Sequence, residues 1–387
     1  MPSLCRLRGQ NLSIAAGVLI CTLLLAACAT STRPFESADA RTEVPLGAVA
    51  LFDAKQQPIQ ASFKVKSREH LQVLVLSGGG SNGAFGAGVL KGWSESGTRP
   101  KFDIVTGIST GALIASLAFL GPRYDGELKE LYTQTTKADI YQSKGFSAIF
   151  SDSFLDYTPF KKQIKGIVTE KLLDEIAVEH QAGRRLYVGT TNLDAGELVV
   201  WDMGAIAASG HPARTRVFQK VLRASAAVPG FFKPVYIQPT LKSKARQMHV
   251  DGGVKAPVLI RSFMFQVPAK RRSLYVIVNG QMKLADASEA IKPELTDISR
   301  KSINELLRGL LYKTLYQGYV TARNAKAQFR LMAIPDNQKL AQNPLKFKAE
   351  DMSRLFEAGR TLGQEGKWAN EPPRLENLER IAVKRKR

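Results

Sequence analysis

Leu71-Gln72-Val73-Leu74-Val75-Leu76 is an almost unbroken apolar run, and only Ser77 separates it from Gly78-Gly79-Gly80-Ser81-Asn82-Gly83. A run this short and this apolar is the pattern of a strand buried on both faces, which requires a sheet covered by helices on either side. The glycines that follow free the backbone from side-chain clashes, and Ala84 to Trp93 reads as a helix beyond them. The pattern then repeats. Ile104-Val105-Thr106 is a second short strand, and an apolar helix from Ala112 to Leu120 is stopped by Gly121-Pro122. Leu186 to Thr190 and Leu274 to Val278 add strands, with a further one over Phe329 to Ile334. Strands alternating with helices predict an α/β domain on a mostly parallel sheet.

Gly107-Ile108-Ser109-Thr110-Gly111 sits where the second strand meets its helix. A nucleophile elbow needs this arrangement, because the turn is too tight for side chains on either flank of the serine. The helix N-terminus beneath offers free N–H groups and a positive dipole end, both of which favour developing negative charge. A serine that only caps the helix is the plainer alternative. The Gly78–Gly83 loop can turn several N–H groups toward one anion, as an oxyanion hole must. Gly78, Gly80 and Gly83 also fit the dinucleotide fingerprint G-x-G-x-x-G after a strand. That reading needs an acid at the end of the second strand, where this chain has Thr106-Gly107. A merely structural glycine turn is the third alternative. Asp251-Gly252-Gly253 follows Met248-His249-Val250, and an aspartate leaving a strand into a glycine turn can reach a neighbouring loop.

These three motifs, in this order, resemble the patatin-like phospholipase family. Ala224-Ser225-Ala226-Ala227-Val228-Pro229-Gly230-Phe231-Phe232 is similar to a block lying between serine and aspartate in that family. The resemblance runs from about Leu71 to Gln281. It implies a three-layer α/β/α fold and a Ser–Asp dyad in place of a triad, with Ser109 as nucleophile and Asp251 as base. Gly79 and Gly80 match the oxyanion loop, and Gly78, Ser81, Asn82 and Gly83 complete it. The implied substrates are phospholipids, lysophospholipids and neutral acyl esters, with no cofactor. Many family members carry Arg or Lys where this chain has Asn82, which leaves oxyanion stabilisation to backbone N–H groups and the Asn82 amide. A degenerate fold that only binds lipid or a partner protein is the alternative to an enzyme.

The four histidines, His70, His180, His211 and His249, all precede Asp251. A hydrolase triad usually places its histidine last, so all four read as structural or surface residues. No His/Cys/Asp grouping has metal-ligand spacing.

Arg6 and Arg8 precede an apolar run from Leu12 to Ala27, which reads as an export signal over residues 1–27. It ends Leu25-Ala26-Ala27-Cys28, which resembles a bacterial lipobox, with Cys28 as the acylated residue. Ala29 follows where aspartate would signal inner-membrane retention, so the expected address is the outer membrane, anchored by lipid. The other cysteines, Cys5 and Cys21, fall inside the signal. The formal charge of +21 favours a polyanionic surface. Export disfavours nucleic acid, leaving anionic lipid, although the basic end Lys384 to Arg387 also serves solubility. Residues 28–66 read as a tether, 67–335 as the hydrolase domain and 336–387 as a polar, basic tail. Ile303, Leu306, Leu307, Leu310, Leu311 and Leu315 recur at helical spacing and read as a core helix in preference to a membrane-contacting one.

Overall fold

The computed structural model describes residues 48–49, 67–143, 155–238, 246–282, 291–340, 345 and 347–373. The export signal, Cys28, most of the arm and the basic end lie outside these residues.

In chain order the elements begin with β1 (Ala48–Val49), β2 (Arg68–Leu76), α1 (Gly83–Glu95), β3 (Ile104–Gly107), α2 (Thr110–Ala118), α3 (Asp125–Thr133) and α4 (Lys137–Ile140). A small hairpin, β4 (Gln142–Ser143) with β5 (Leu155–Asp156), leads into α5 (Thr158–Ile167) and α6 (Glu170–Gln181). Next come β6 (Arg185–Asn192), β7 (Glu197–Asp202), α7 (Met203–Ala208), α8 (Arg214–Ser225), β8 (Val235–Ile237) and β9 (Gln247–Asp251). The last are β10 (Ala269–Gln281), α9 (Leu295–Asn324), β11 (Gln328–Ile334) and α10 (Ala349–Glu365).

The main sheet runs β1-β7-β6-β3-β2-β10-β11, with β9 paired to β6 and β8 to β9. Its centre, β6-β3-β2-β10-β11, is parallel throughout, and β7, β9, β8 and β1 pair antiparallel at one side. Helices cover both faces, so the fold is the three-layer α/β/α arrangement with a mostly parallel sheet. The alternation along β2 shows why both faces are apolar. Leu74 and Leu76 join the core under α1 and α2, while Leu71, Val73 and Val75 join the core under α9. Burying both faces of a strand leaves no polar side, which is the pattern the sequence carries.

The stretch read as a polar tail beyond residue 336 contains α10, and this helix belongs to the folded body. Met352, Leu355 and Phe356 are buried, and the helix packs along α1. Glycines make the contact. A Cβ on Gly88 or Gly92 of α1 would overlap the α10 carbonyls of Phe356 or Arg360, and one on Gly359 or Gly363 would overlap those of Phe85 or Val89. The sequence reads as polar because the buried strip is narrow and two of its five residues are glycine.

The leucine stripe divides along α9. Leu315 and Ala322 are fully buried on the sheet, but Ile303 is 47% and Leu306 72% exposed. Tyr312 marks the boundary: its hydroxyl donates to the Met282 carbonyl at the end of β10, at 2.7 Å. No described side chain of the helix before Tyr312 is buried. Leu311 packs against the core just before this boundary, and the core-helix expectation holds from there to the end of the helix. Leu315→Ala should therefore cost about 2–5 kcal/mol, and Leu306→Ala less than about 0.5 kcal/mol. Urea unfolding of the two variants reads the difference.

Candidate functional site

Ser109 stands between the end of β3 and the start of α2, at φ 55° and ψ −126°. Positive φ is costly for a residue with a Cβ and persists only where the surroundings impose it. Here the packing imposes it. A Cβ on Gly107 would overlap the Gly111 carbonyl, and one on Gly111 would overlap the carbonyls of Leu76 and Ser77. The backbone N–H of Ser109 donates to Ser225 Oγ at 2.9 Å, and Ser225 Oγ donates on to the Gly189 carbonyl of β6 at 2.8 Å. Ser225 is fully buried, so α8 and β6 hold the turn from below. The turn does not use its hydroxyl as a helix cap, because the Ser109 side chain accepts no capping hydrogen bond.

Asp251 is the last residue of β9, opposite Thr190 of β6. Its N–H donates to the Ala227 carbonyl at 2.9 Å, and its carbonyl accepts from Thr191 Oγ1 at 3.0 Å. Both sides of its peptide are thus fixed. The carboxylate accepts the Gly253 N–H at 2.7 Å, and the neighbouring Ser109 side chain favours its charged form. A Cβ on Gly252 would meet the Gly189 carbonyl, so that glycine lets the aspartate turn pack against β6. Burial pushes the Asp251 carboxyl up to about 6, and Ser109 and Gly253 offset part of that rise.

The glycine loop lies beside this pair. Gly80 has φ 56°, and a Cβ on Gly79 would overlap the Asn279 carbonyl. Asn279 braces the loop: its Nδ2 donates to the Ser77 carbonyl at 2.9 Å, and its Oδ1 accepts the Gly86 N–H at 3.0 Å. The loop's donors are fewer than its six residues suggest. The Gly78 N–H donates to the Pro257 carbonyl at 3.2 Å and the Asn82 N–H to the Gly79 carbonyl at 3.1 Å. The Gly83 N–H turns back to the Gly80 and Ser81 carbonyls. Among the described residues, the N–H groups of Gly79, Gly80, Ser81 and Thr110 have no backbone partner. Thr110 opens α2, so its donor sits at the positive end of the helix dipole.

Gly80, Ser109 and Thr110 open into a cavity. Its other walls are almost entirely apolar, and none of its lining residues is charged.

The histidines are engaged elsewhere. His249 is fully buried, with Nδ1 at 2.9 Å from Thr190 Oγ1, and burial holds its pKa down to about 4. His70 Nε2 pairs with Ser273 Oγ at 2.8 Å, His180 faces Asp202 at 3.5 Å, and His211 Nδ1 accepts the Ala213 N–H at 3.0 Å. The sequence reading missed Ser225 and Asn279 as structural supports. The small-residue block around Ser225 was the only trace of the first, and nothing marked the second.

Residues 74–264 match the family model described as patatin-like phospholipase. No curated protein matches the sequence. Among solved structures, VipD from Legionella pneumophila is 14% identical, with 88% of this chain and 72% of that one covered and a TM-score of 0.40. A chain of the full-length SpcU–ExoU complex from the type III secretion system of Pseudomonas aeruginosa is 15% identical, with 86% and 61% covered and a TM-score of 0.28. The family match takes in the glycine loop, the serine turn and the aspartate turn together, and residues 74–264 form a patatin-like phospholipase domain.

Proposed function

We propose that the protein hydrolyses lipid acyl esters through an acyl-enzyme, with Ser109 as nucleophile and Asp251 as base. The observation that carries this reading is the Ser109 side chain, at a strained strand–helix turn, set against the buried Asp251 carboxyl. In the first half-reaction Ser109 Oγ attacks the ester carbonyl carbon while its proton passes to Asp251. Backbone N–H groups left free by the glycine loop and by Thr110 are the donors we assign to the charge that the carbonyl oxygen gains. Collapse of the intermediate expels the alcohol, which takes the proton from Asp251. In the second half-reaction Asp251 removes a proton from water, the hydroxide attacks the acyl carbon, and Ser109 leaves with that proton. No histidine is needed if the carboxylate itself lies within hydrogen-bond reach of the hydroxyl.

The test is incubation of the purified protein with mixed phospholipids and mass spectrometry of the products. Release of fatty acid together with the deacylated lipid supports the reading. Unchanged lipids, and unchanged short-chain p-nitrophenyl esters, would leave a lipid-binding or partner-binding protein. The lipobox-like sequence supports a further proposal, that Cys28 is acylated and holds the enzyme at the cell envelope, in the outer membrane. Metabolic labelling with a fatty acid, lost in Cys28→Ser, tests it.

A further inference from the structure

The cavity beside Ser109 is built partly by residues outside the family-matched span. Leu113 of α2, Phe160 of α5 and Phe232 form one part of its wall. Leu345, Phe347 and Met352, from the stretch leading into α10, form another. That stretch is fastened at both ends. The Tyr141 hydroxyl donates to the Leu345 carbonyl at 2.9 Å, and the Tyr141 ring packs edge-on against Phe232, 6.0 Å between centroids. Beyond Met352, α10 is docked on α1 through the four glycines described above. The wall offers nothing to a charged headgroup. Its polar side chains pair with one another, Gln163 Nε2 donating to Thr135 Oγ1 at 2.8 Å and Thr110 Oγ1 bonding to the Tyr132 hydroxyl. An uncharged apolar cavity with a nucleophile at its mouth takes an aliphatic chain and excludes ions, because desolvating a charge there has no compensating partner.

We propose that Leu345, Phe347 and Met352 complete this cavity as an acyl-chain site, and that Phe347 sets how long a chain it accepts. The proposal deepens the hydrolase reading and rests on it for the identity of the substrate, with the headgroup left outside the cavity. Leu345 and Met352 are 7% and 1% exposed and serve the core as well as the cavity, whereas Phe347 is only half-buried. Phe347 is therefore the position where chain selection can change without loss of the fold.

Binding of free fatty acids tests the site without requiring turnover. Hexanoate and myristate are titrated calorimetrically into the full chain and into Phe347→Ala and Phe347→Trp, each checked for a native circular dichroism spectrum. Relative to wild type, Phe347→Ala should raise the ratio of myristate to hexanoate affinity about tenfold, and Phe347→Trp should lower it by a similar factor, the scale of small volume changes in an apolar pocket. The opposite directions keep the test open if one variant fails to fold. Unchanged ratios, or a shift in the same direction for both, would overturn the proposal. A protein that shows the opposed shifts yet cleaves no ester would retain the acyl site and lose the hydrolase reading. Ester cleavage with unchanged ratios would do the reverse.

Discussion

Ser109→Ala should abolish ester hydrolysis while leaving the protein folded. A covalent mechanism has no substitute for the attacking oxygen, and removal of a serine nucleophile from an enzyme of this type lowers kcat by about 10⁶-fold. The fold does not depend on the hydroxyl. Both serine and alanine carry a Cβ into the φ 55° conformation, and the turn is held by the Ser109 N–H bond to Ser225 and by the packing of Gly107 and Gly111. The change in stability should stay within about 1 kcal/mol. Turnover of p-nitrophenyl butyrate and a thermal melt of the same sample measure the two effects. Turnover that survives in the pure variant would remove Ser109 from the chemistry.

Asp251→Asn should lower kcat/KM by about 10²-fold or more, the scale of a general base. The amide keeps the size of the carboxyl but cannot take the proton. The same carboxyl predicts the pH profile. A base acts only when deprotonated, so kcat/KM should rise with pH and level off above about 6, the value to which burial pushes Asp251. The sign for stability is the opposite. Asp251 has an ordinary value of 3.8, and between there and about 6 the folded protein holds a proton that the unfolded chain has lost. Stability contributed by the neutral form is therefore present below 3.8 and lost as pH rises through about 6. Asp251→Asn does not ionise and should melt at a higher temperature than wild type at pH 8. A variant that gained no stability there, or a rate profile flat through this window, would contradict a buried ionising base. His249→Gln is the companion control. Its ring is bonded to Thr190 and held neutral by burial, so the variant should keep most activity. If it folded and were as inactive as Ser109→Ala, a histidine would be part of the machinery.

The parts of this account that were legible in the sequence are those fixed locally. Gly107 and Gly111 are demanded by the turn around Ser109 itself, and the doubly buried strands announce themselves as apolar runs. What was illegible depends on partners far along the chain. Ser225 meets Ser109 across 116 positions, and Asn279 meets Ser77 across 202, so no local pattern could mark either as a brace. The oxyanion loop was read too broadly for the same reason. Only the fold shows that Pro257 claims the Gly78 N–H and that the loop's own carbonyls claim those of Asn82 and Gly83. The helix from Ala349 hid because glycine, which carries no hydrophobic signal, supplies much of its contact with α1. The stripe from Ile303 to Leu315 misled in the other direction. Its period is helical from end to end, but only its second half reaches the sheet.

The most direct measurement is covalent capture of the nucleophile. A fluorophosphonate probe reacts with an activated serine, and digestion followed by mass spectrometry locates the adduct. The account predicts a single adduct on Ser109, formed faster as pH rises through about 6 and slowed in Asp251→Asn. An adduct on another serine, or no adduct from a preparation that hydrolyses esters, would contradict it.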